Sequence, residues 1–357
     1  MGDRPLRVLL VAPSPRLSGG QAVQAQLLAR GLAEVGVRVQ LLPIDLPLPR
    51  PLRGLERLAG VRTAVRALTF AAHLAWQVPR CDVVHAFSAA YLSFLLWPVP
   101  AVLLGRLCGK RTILNYRSGE GPGHLARWGL VARPLLRWAG RVVVPSGYLR
   151  DVFAEHGVRA QVVSNVVDLA AFRYRERARP RPVILVARAL EPLYNIPCAL
   201  RAFQPVRAAY PRAELWIAGD GSQRGALERL VEEQGGKGVR FLGRVEHEQM
   251  PDLYDQADLL LNTPNLDNMP VSLLEAFASG LPVVSTVAGG IPYLVDSGIN
   301  GLLAPVDDSE GLAGHLLWML EHPEAAREMA RRARERCAQF TWPRVAQEWL
   351  AVYRGRR

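Results

Sequence analysis

The sequence predicts an α/β protein of two domains, each built on a parallel sheet, with a cleft between them. Two observations carry that class. Short β-branched runs alternate with longer stretches of helical spacing along the chain, as in successive βαβ units. The alternation breaks once, at the charged, proline-containing RYRERARPRP (173–182), and then restarts. A length of 357 residues suits two such domains. In sheets of this kind ligands bind at the carboxyl ends of strands.

The elements follow in order. RVLLVAP reads as a buried strand, PRLSGG as a glycine-rich turn, and QAVQAQLLARGLAEVG as a helix stopped by Gly36. VRVQLLPI, CDVVHAF, RTILNY and RVVVPS read as further strands with helical stretches between them, and QVVSNVVDLAAF closes the first half. The most apolar stretch, Tyr91 to Leu107, is at the lower limit for spanning a bilayer and contains Pro98 and Pro100, so it is expected to be a buried helix. After the break, VILVARAL, AELWIAG, VRFLGRV, ADLLLN and LPVVST read as strands, with NIPCALRAFQPVRAAYP and QRGALERLVEEQGG as helices. The end, FTWPRVAQEWLAVYRG, has Trp342, Val345, Trp349 and Val352 on one helical face.

The net charge of +12 is unevenly placed. Met1 to Phe172 holds 21 Lys and Arg against 9 Asp and Glu, whereas Arg173 to Arg357 holds 23 against 23. Only Lys110 and Lys237 are lysines, so one reading is a compositional preference for arginine. The other is that the first half faces an anionic partner. No aromatic-interleaved basic repeat is present, which argues against nucleic acid. Cys81, Cys108, Cys198 and Cys337 form no CxxC pair, which argues against zinc and against a disulfide framework and fits a reducing cytoplasm. The first apolar run is too short for a signal peptide. No Asp, Glu and His cluster has metal-ligand spacing, so no metal or other cofactor is expected.

The segment richest in chemistry runs from Asn262 to Leu303. A strand ending near Asn262 leads through a polar loop to Pro270, which suits a first helical turn, and the helix is expected to stop at Gly280. Its amino end directs N–H groups from Val271 to Leu273 into the loop, a ready anion site. Glu275, one turn in, could accept two vicinal hydroxyls, so a diphosphate and a ribose together describe a nucleotide. An ordinary surface helix with a solvated Glu fits the same letters. AGDGSQRG places Gly219, Gly221 and Gly225 one residue off a dinucleotide fingerprint, so no nicotinamide role is assigned.

LEAFASGLPVVSTVAGGIP followed by INGLLAP resembles the signature of the retaining GT-B glycosyltransferases, in particular glycosyltransferase family 4. SGGQAVQAQLLARGL, VVVPSGYLRDVFAEHGV, SNVVDLAAF, VARALEPLYNI, AGDG and FLGRVEHEQMPDLYDQADLLL resemble that family in order and spacing, so the likeness covers nearly the whole chain. The resemblance implies two Rossmann-like domains: 1–172 with a returning helix 341–357 on the acceptor side, a linker 173–182, and 183–340 for the donor. It implies transfer of a sugar from a nucleoside-diphosphate sugar to an acceptor hydroxyl with retention, as in cell-surface polysaccharide, glycolipid or glycoconjugate synthesis. The acceptor is expected to be a glycan, a lipid-linked sugar or a small molecule.

The same resemblance assigns roles. Glu275 binds the ribose, and Asp267 lies near the sugar hydroxyls in place of the family's first Glu. The stretch Asn268, Met269, Pro270, Val271 and Ser272 faces the sugar and diphosphate with its backbone N–H groups, Pro270 having none of its own. Arg188 neutralises the leaving diphosphate, Asn195 lies beside the donor, and Gly19 and Gly20 let backbone approach phosphate. His85 lies near sugar and acceptor, although a histidine on an apolar strand is also an ordinary core residue. Three departures stand out. Asp267 is one methylene short, Leu193 replaces a Lys expected five residues after Arg188, and Arg117 with Ser118 stand where His-Gly is usual. Arg117 is the candidate to supply the missing charge. A nucleotide-sugar binder without transferase activity, and an epimerase or hydrolase on the same fold, remain open alternatives. Arg mixes with Trp, Phe and Leu in RPLRGLERLAGVRTAVRALTF and HLARWGLVARPLLRWAGR, which adds an anionic membrane surface as a candidate partner. The expected location is the cytoplasm, with the inner membrane face as the peripheral variant.

Overall fold

The structure, a computed structural model, describes residues 4–17, 19–47, 59–177 and 181–355. The chain divides into two compact units, Met1–Ser164 with Val345–Arg357, and Asn165–Arg344.

The first unit holds a parallel sheet of β1 (Arg7–Ala12), β2 (Arg38–Pro43), β3 (Val83–Ser88), β4 (Arg111–Tyr116), β5 (Arg141–Val144) and β6 (Ala160–Val162), in the order β2-β1-β3-β4-β5-β6. Burial on both faces explains why these strands read as nearly continuous apolar runs. Leu9 and Val11 point into one core with Phe70, Phe94, Tyr116, Leu125 and Phe153. His85, paired with Leu10 on β1, meets Trp349 and Tyr353 of the closing helix Trp342–Arg354. Of the four residues expected on one face of that helix, Val345, Trp349 and Val352 are buried and Trp342 is half-buried.

The segment from Tyr91 to Leu107 differs from its expectation as one helix. It is two helices, Tyr91–Leu96 and Pro98–Leu107, broken at Trp97, because Pro98 has no N–H to continue the first and starts the second. Among the described residues no helix is long and apolar enough to cross a membrane.

The second unit holds β7 (Val183–Ala187), β8 (Glu214–Ala218), β9 (Val239–Gly243), β10 (Leu259–Asn262), β11 (Val283–Thr286) and β12 (Leu302–Ala304), all parallel in the order β12-β11-β10-β7-β8-β9. The strand order reverses between β7 and β10. That junction is where a doubly wound sheet opens a crevice at its carboxyl edge.

The segment 173–182 is not a free linker where it is described. Arg177 is 3% exposed and its guanidinium donates to the carbonyls of Tyr254, Ala257 and Ser279. Asn165 and Phe172 also pack on this unit, Asn165 Nδ2 donating to the Met269 carbonyl at 2.8 Å. The division therefore falls at Ser164, ahead of the expected Phe172. Residues 178–180 of that segment lie outside the described residues. A charged, aperiodic sequence looks like solvent-exposed chain. Here its arginines instead satisfy the carbonyls left over at two helix ends.

Candidate functional site

The site in the second unit begins at the β7–β10 junction. The register Leu260↔Leu185 brings Asn262 at the end of β10 beside the end of β7, where Arg188 follows. Arg188 Nε donates to Asn262 Oδ1 at 2.7 Å, Nη2 meets Asp267 Oδ2 at 2.5 Å, and the guanidinium lies over the Tyr194 ring at 4.9 Å. Asn262 is fixed in turn by donating to Ser285 Oγ at 2.7 Å. A planar cation is thus aimed by two side-chain acceptors and a ring face, which is more directional than an ammonium would be.

Asp267 has both oxygens engaged, because Oδ1 also accepts from the Asn268 N–H at 2.7 Å. The shorter side chain fits this position between Arg188 and its own loop. Its geometry is that of a residue positioning Arg188 as much as one facing a sugar.

Pro270 caps the helix Val271–Ser279, which ends at Gly280 in the left-handed conformation (φ 67°). Pro270 has no N–H, so the orphan donors at this amino end are those of Val271, Ser272 and Leu273. Met269 accepts from the Asn165 N–H through Sδ at 3.4 Å, so both it and its carbonyl anchor the loop. Asn268 is 3% exposed.

Glu275 is 6% exposed, so the surface-helix reading does not hold. Its Oε2 accepts from the Tyr254 hydroxyl at 2.9 Å, and Oε1 lies 3.6 Å from His247 Nδ1. Burial pushes its pKa up to about 7, against the opposing pull of the Tyr254 hydroxyl and the Arg188 charge. Tyr254, fully buried, has its own pKa pushed up by the same burial and by the neighbouring carboxylate, so it stays a donor. Tyr254, His247 and Asn262, which contact Glu275 and Arg188, are members of the candidate site that sequence reasoning did not single out. The signal was present in EHEQMPDLYDQADLLLN, but nothing in the spacing says that Tyr254 meets a carboxylate on another helix.

The Gly289–Gly290 pair has a packing role. Gly289 sits at φ +54°, and a Cβ there would lie 2.1 Å from the Asp267 carbonyl oxygen. A Cβ on Gly290 would lie 2.0 Å from that of Asn268. The Gly290 N–H donates to the Asp267 carbonyl at 3.0 Å. Glycine is required here because the loop that presents Asp267 and Asn268 rests on this backbone.

Asn195 is left-handed (φ 45°) and caps the helix Ile196–Ala209. Its oxygen accepts from the Cys198 N–H at 3.3 Å, and its Nδ2 donates to Asn265 and Asp307, each at 2.9 Å. The structure therefore gives the Asn195 side chain to loop bracing, not to a ligand. Among the described residues no group of three His, Cys, Asp or Glu could hold a metal ion.

The remaining sequence-derived residues belong to the first unit. Gly19 (φ 137°) precedes the helix Gly20–Glu34, and a Cβ on it would meet nothing within 4 Å, so its backbone is open to approach. Both glycines lie in the β1 loop, at the reversal between β1 and β3. Ser14, which sequence reasoning also missed, ties that loop down by donating to Asp45 through its N–H at 2.8 Å and its hydroxyl at 2.5 Å.

His85 is a correction. It is 0% exposed, with Nδ1 2.8 Å from the Tyr353 hydroxyl and Nε2 3.1 Å from Asn115 Nδ2. Burial holds its pKa down at about 3, so it is neutral. Both nitrogens are occupied and the ring is packed among Phe87, Trp349 and Tyr353, which is the core-histidine arrangement. Arg117, half-buried, follows β4, donates its N–H to the Ser88 carbonyl at 2.9 Å and lies over the Phe87 ring at 4.6 Å. Burial lowers its pKa to about 9.

Comparison with known proteins agrees with this architecture. The family described as "Glycosyl transferases group 1" matches residues 171–336, and "Glycosyltransferase Family 4" matches 18–171. The D-inositol 3-phosphate glycosyltransferase of Saccharomonospora viridis is 30% identical over 305 residues, 76% of this chain and 70% of that protein. Among solved structures, sucrose-phosphate synthase from Thermosynechococcus elongatus superposes with a TM-score of 0.78 at 20% identity, covering 98% of each chain. Anabaena Alr3699/HepE, solved in complex with UDP-glucose, gives a TM-score of 0.76 at 17% identity, covering 98% of this chain and all of that one. The chain belongs to the group 1 glycosyl transferases, glycosyltransferase family 4, and has the two Rossmann-like domains of the GT-B fold.

Proposed function

We propose that this transferase takes a sugar from a nucleoside-diphosphate donor and passes it to an acceptor hydroxyl with retention at the anomeric carbon. The observation that carries the reading is the pairing of a buried carboxylate, Glu275, with a helix amino end one turn away and a guanidinium, Arg188, at the strand reversal. Glu275 accepts the two ribose hydroxyls. The N–H groups of Val271, Ser272 and Leu273 and the Arg188 guanidinium take the diphosphate. As the bond from the anomeric carbon to the phosphate oxygen breaks, negative charge grows on that oxygen. Donors already in place stabilise it without reorganisation. The acceptor oxygen forms the new bond on the same face, and its proton passes to the leaving phosphate, so no strong general base is required. Asp267 positions Arg188. The diphosphate charge is assigned to Arg188 and the helix end, with no resident metal. Gly19 and Gly20 are assigned to donor binding, as glycines that let backbone approach phosphate closely.

Uridine diphosphate is the donor nucleotide to test first, because the HepE neighbour was solved with UDP-glucose. The basic first unit favours a phosphate-bearing or lipid-linked acceptor, as expected for envelope glycoconjugate synthesis at the cytoplasmic side. Thermal unfolding with UDP, GDP, ADP and dTDP tests the donor, since a ligand raises stability with the logarithm of its excess over Kd. Glu275→Ala should abolish the shift. Arg188→Ala should lower kcat by about 10²–10³ while nucleotide binding persists. Unchanged turnover in that variant would remove Arg188 from the mechanism.

A second reading follows from two observations, Leu193 in place of a lysine and both Asp267 oxygens engaged. It is a donor-binding protein that does not transfer. Nucleotide-sugar binding with no product across phosphorylated and lipid-linked acceptors would favour it. Free sugar or an epimer would point to hydrolysis or epimerisation.

A further inference from the structure

We infer that the helical layer over one face of the first unit's sheet is a docking surface for an anionic lipid bilayer. This rests on the first unit alone and does not depend on the donor reading. The layer is formed by the helices Ala59–Gln77, Tyr91–Leu96, Pro98–Leu107 and Gly121–Trp138, and closes with Gly147–Glu155 between β5 and β6. They are contiguous: Phe70 meets Trp97 edge-on at 5.2 Å, Phe94 meets His124 at 5.0 Å, and Arg106 lies over Trp138 at 5.5 Å. Each follows a parallel strand toward the same side of the sheet, so their outer faces share one direction.

Two properties of that outer face coincide. None of the first four helices contains an Asp or a Glu, while they carry Arg62, Arg66, Arg106, Arg127, Arg133 and Arg137; the acids of the layer, Asp151 and Glu155, are confined to Gly147–Glu155, which also carries Arg150. The unit as a whole has 24 Lys and Arg against 9 Asp and Glu, whereas the second unit has 20 against 23. The same face also exposes large apolar side chains: Leu68 at 72%, Trp76 at 58%, Leu107 at 77% and Leu130 at 95%. On the Gly121–Trp138 helix, Arg127, Leu130, Val131, Pro134 and Trp138 recur at helical spacing as an outward stripe. Leu125, Ala132 and Leu136 form the buried one. The fold therefore already has its core stripe, and the outer stripe is surplus to it.

Arginine alone would suit any polyanion. Leucine and tryptophan beside it select a partner with both an anionic surface and an apolar layer beneath, because the arginine stems can lie along apolar chains with their heads at phosphate. The Trp–Arg pairs lie where the helices end and the next strands begin. The Arg80 guanidinium is 4.4 Å from the Trp76 ring, Arg106 lies over Trp138, and Lys110 Nζ donates to the Pro79 carbonyl at 2.9 Å. That is the amino edge of the sheet, opposite the carboxyl edge that carries Gly19 and Gly20. A bilayer held there leaves the strand ends open. The basic residues of the segment 48–58, part of the sequence-level membrane reading, lie outside the described residues.

The test is co-sedimentation of the full chain with vesicles of phosphatidylglycerol and phosphatidylcholine, against phosphatidylcholine alone, at about 0.1 M and about 1 M salt. Binding is expected only to the anionic vesicles, and weakened at high salt. Arg80→Gln with Arg127→Gln should weaken it by about tenfold or more, since each arginine near such a surface contributes roughly fivefold. Leu130→Glu should also abolish it, with an unchanged melting temperature because that side chain is in solvent. Absence of binding to anionic vesicles overturns the proposal. So does binding that survives Leu130→Glu, or a heparin affinity that matches the vesicle affinity and is indifferent to that substitution, since either describes a general polyanion surface.

Discussion

Glu275 has the environment from which the pH behaviour of the site follows. Its ionised form is the one that accepts hydroxyls, and burial places its pKa at about 7. Affinity for an uncleaved UDP-sugar, which has no phosphate titrating in this range, should therefore fall as pH drops from 8 to 6. Calorimetry should show that slope in the parent chain and none in Glu275→Gln. The stability consequence has the opposite sense. The unfolded carboxyl releases its proton near 4.5 and the native one near 7, so the group's favourable contribution is complete below 4.5 and is lost as pH rises through 7. Glu275→Gln should thus gain melting temperature relative to the parent at pH 8 and not at pH 4.5. Tyr254 acts through Glu275. Removing its hydroxyl in Tyr254→Phe should raise the Glu275 pKa and weaken donor binding by about tenfold at neutral pH, the loss expected for a hydrogen bond to a charged group. A melting change without that pH displacement would leave Tyr254 a packing residue only. Glu275 was legible as a site residue from its place one turn into a helix. Its burial and its tyrosine partner were not, because both depend on a helix distant in sequence.

At the scale of elements, the loop from Asn262 to Pro270 and the turn at Gly289–Gly290 behave as one device. Gly290→Ala puts a carbon 2.0 Å from a carbonyl oxygen that a backbone cannot withdraw, so it should lower both melting temperature and donor affinity. Gly314→Ala is the control. It lies exposed inside the helix Ser309–Glu321 with nothing within 4 Å of the added carbon, and should stabilise the chain by roughly 0.5–1 kcal/mol. Chemical unfolding of the two variants checks the contrast. The strands and the stop of the Val271–Ser279 helix at Gly280 were legible because burial on both faces and an αL-tolerant residue leave local marks. The break at Trp97 was suggested by two prolines but hidden by continuous apolarity. Residues 173–177 looked like a linker because a buried arginine bonded to carbonyls leaves no periodic mark.

The whole molecule shows how its ends are used. The closing helix Trp342–Arg354 returns to the first unit, where Trp349 is 2% exposed and packs on His85 with ring centroids 4.6 Å apart. Trp349→Ala should cost about 3–5 kcal/mol in the unfolding of that unit, the range for a buried aromatic. Glu275 and Arg188 belong to the other unit. Denaturation followed with and without nucleotide should therefore show Trp349→Ala acting on a transition that the nucleotide does not shift. The charge division also sharpens at this scale. The segment Val345–Arg357 adds three arginines against one Glu to the first unit, and residues 165–172 pass to the second, which is left slightly acidic.

What this chain's sequence determined by itself is what local chemistry writes along a strand or a helix: the βα alternation, the family signature with the candidate residues it names, Glu275 one turn into a helix, and the charge imbalance between halves. Only the tertiary structure decided which of the named residues are available. It buries His85 between two hydrogen-bond partners, turns Asn195 into a loop brace, and sets Tyr254 against Glu275. The physical reason is that availability is a property of neighbours. A strand histidine, a capping asparagine or a helix carboxylate has the same letters whether it faces a ligand or a side chain far away in the sequence, and only packing separates the two.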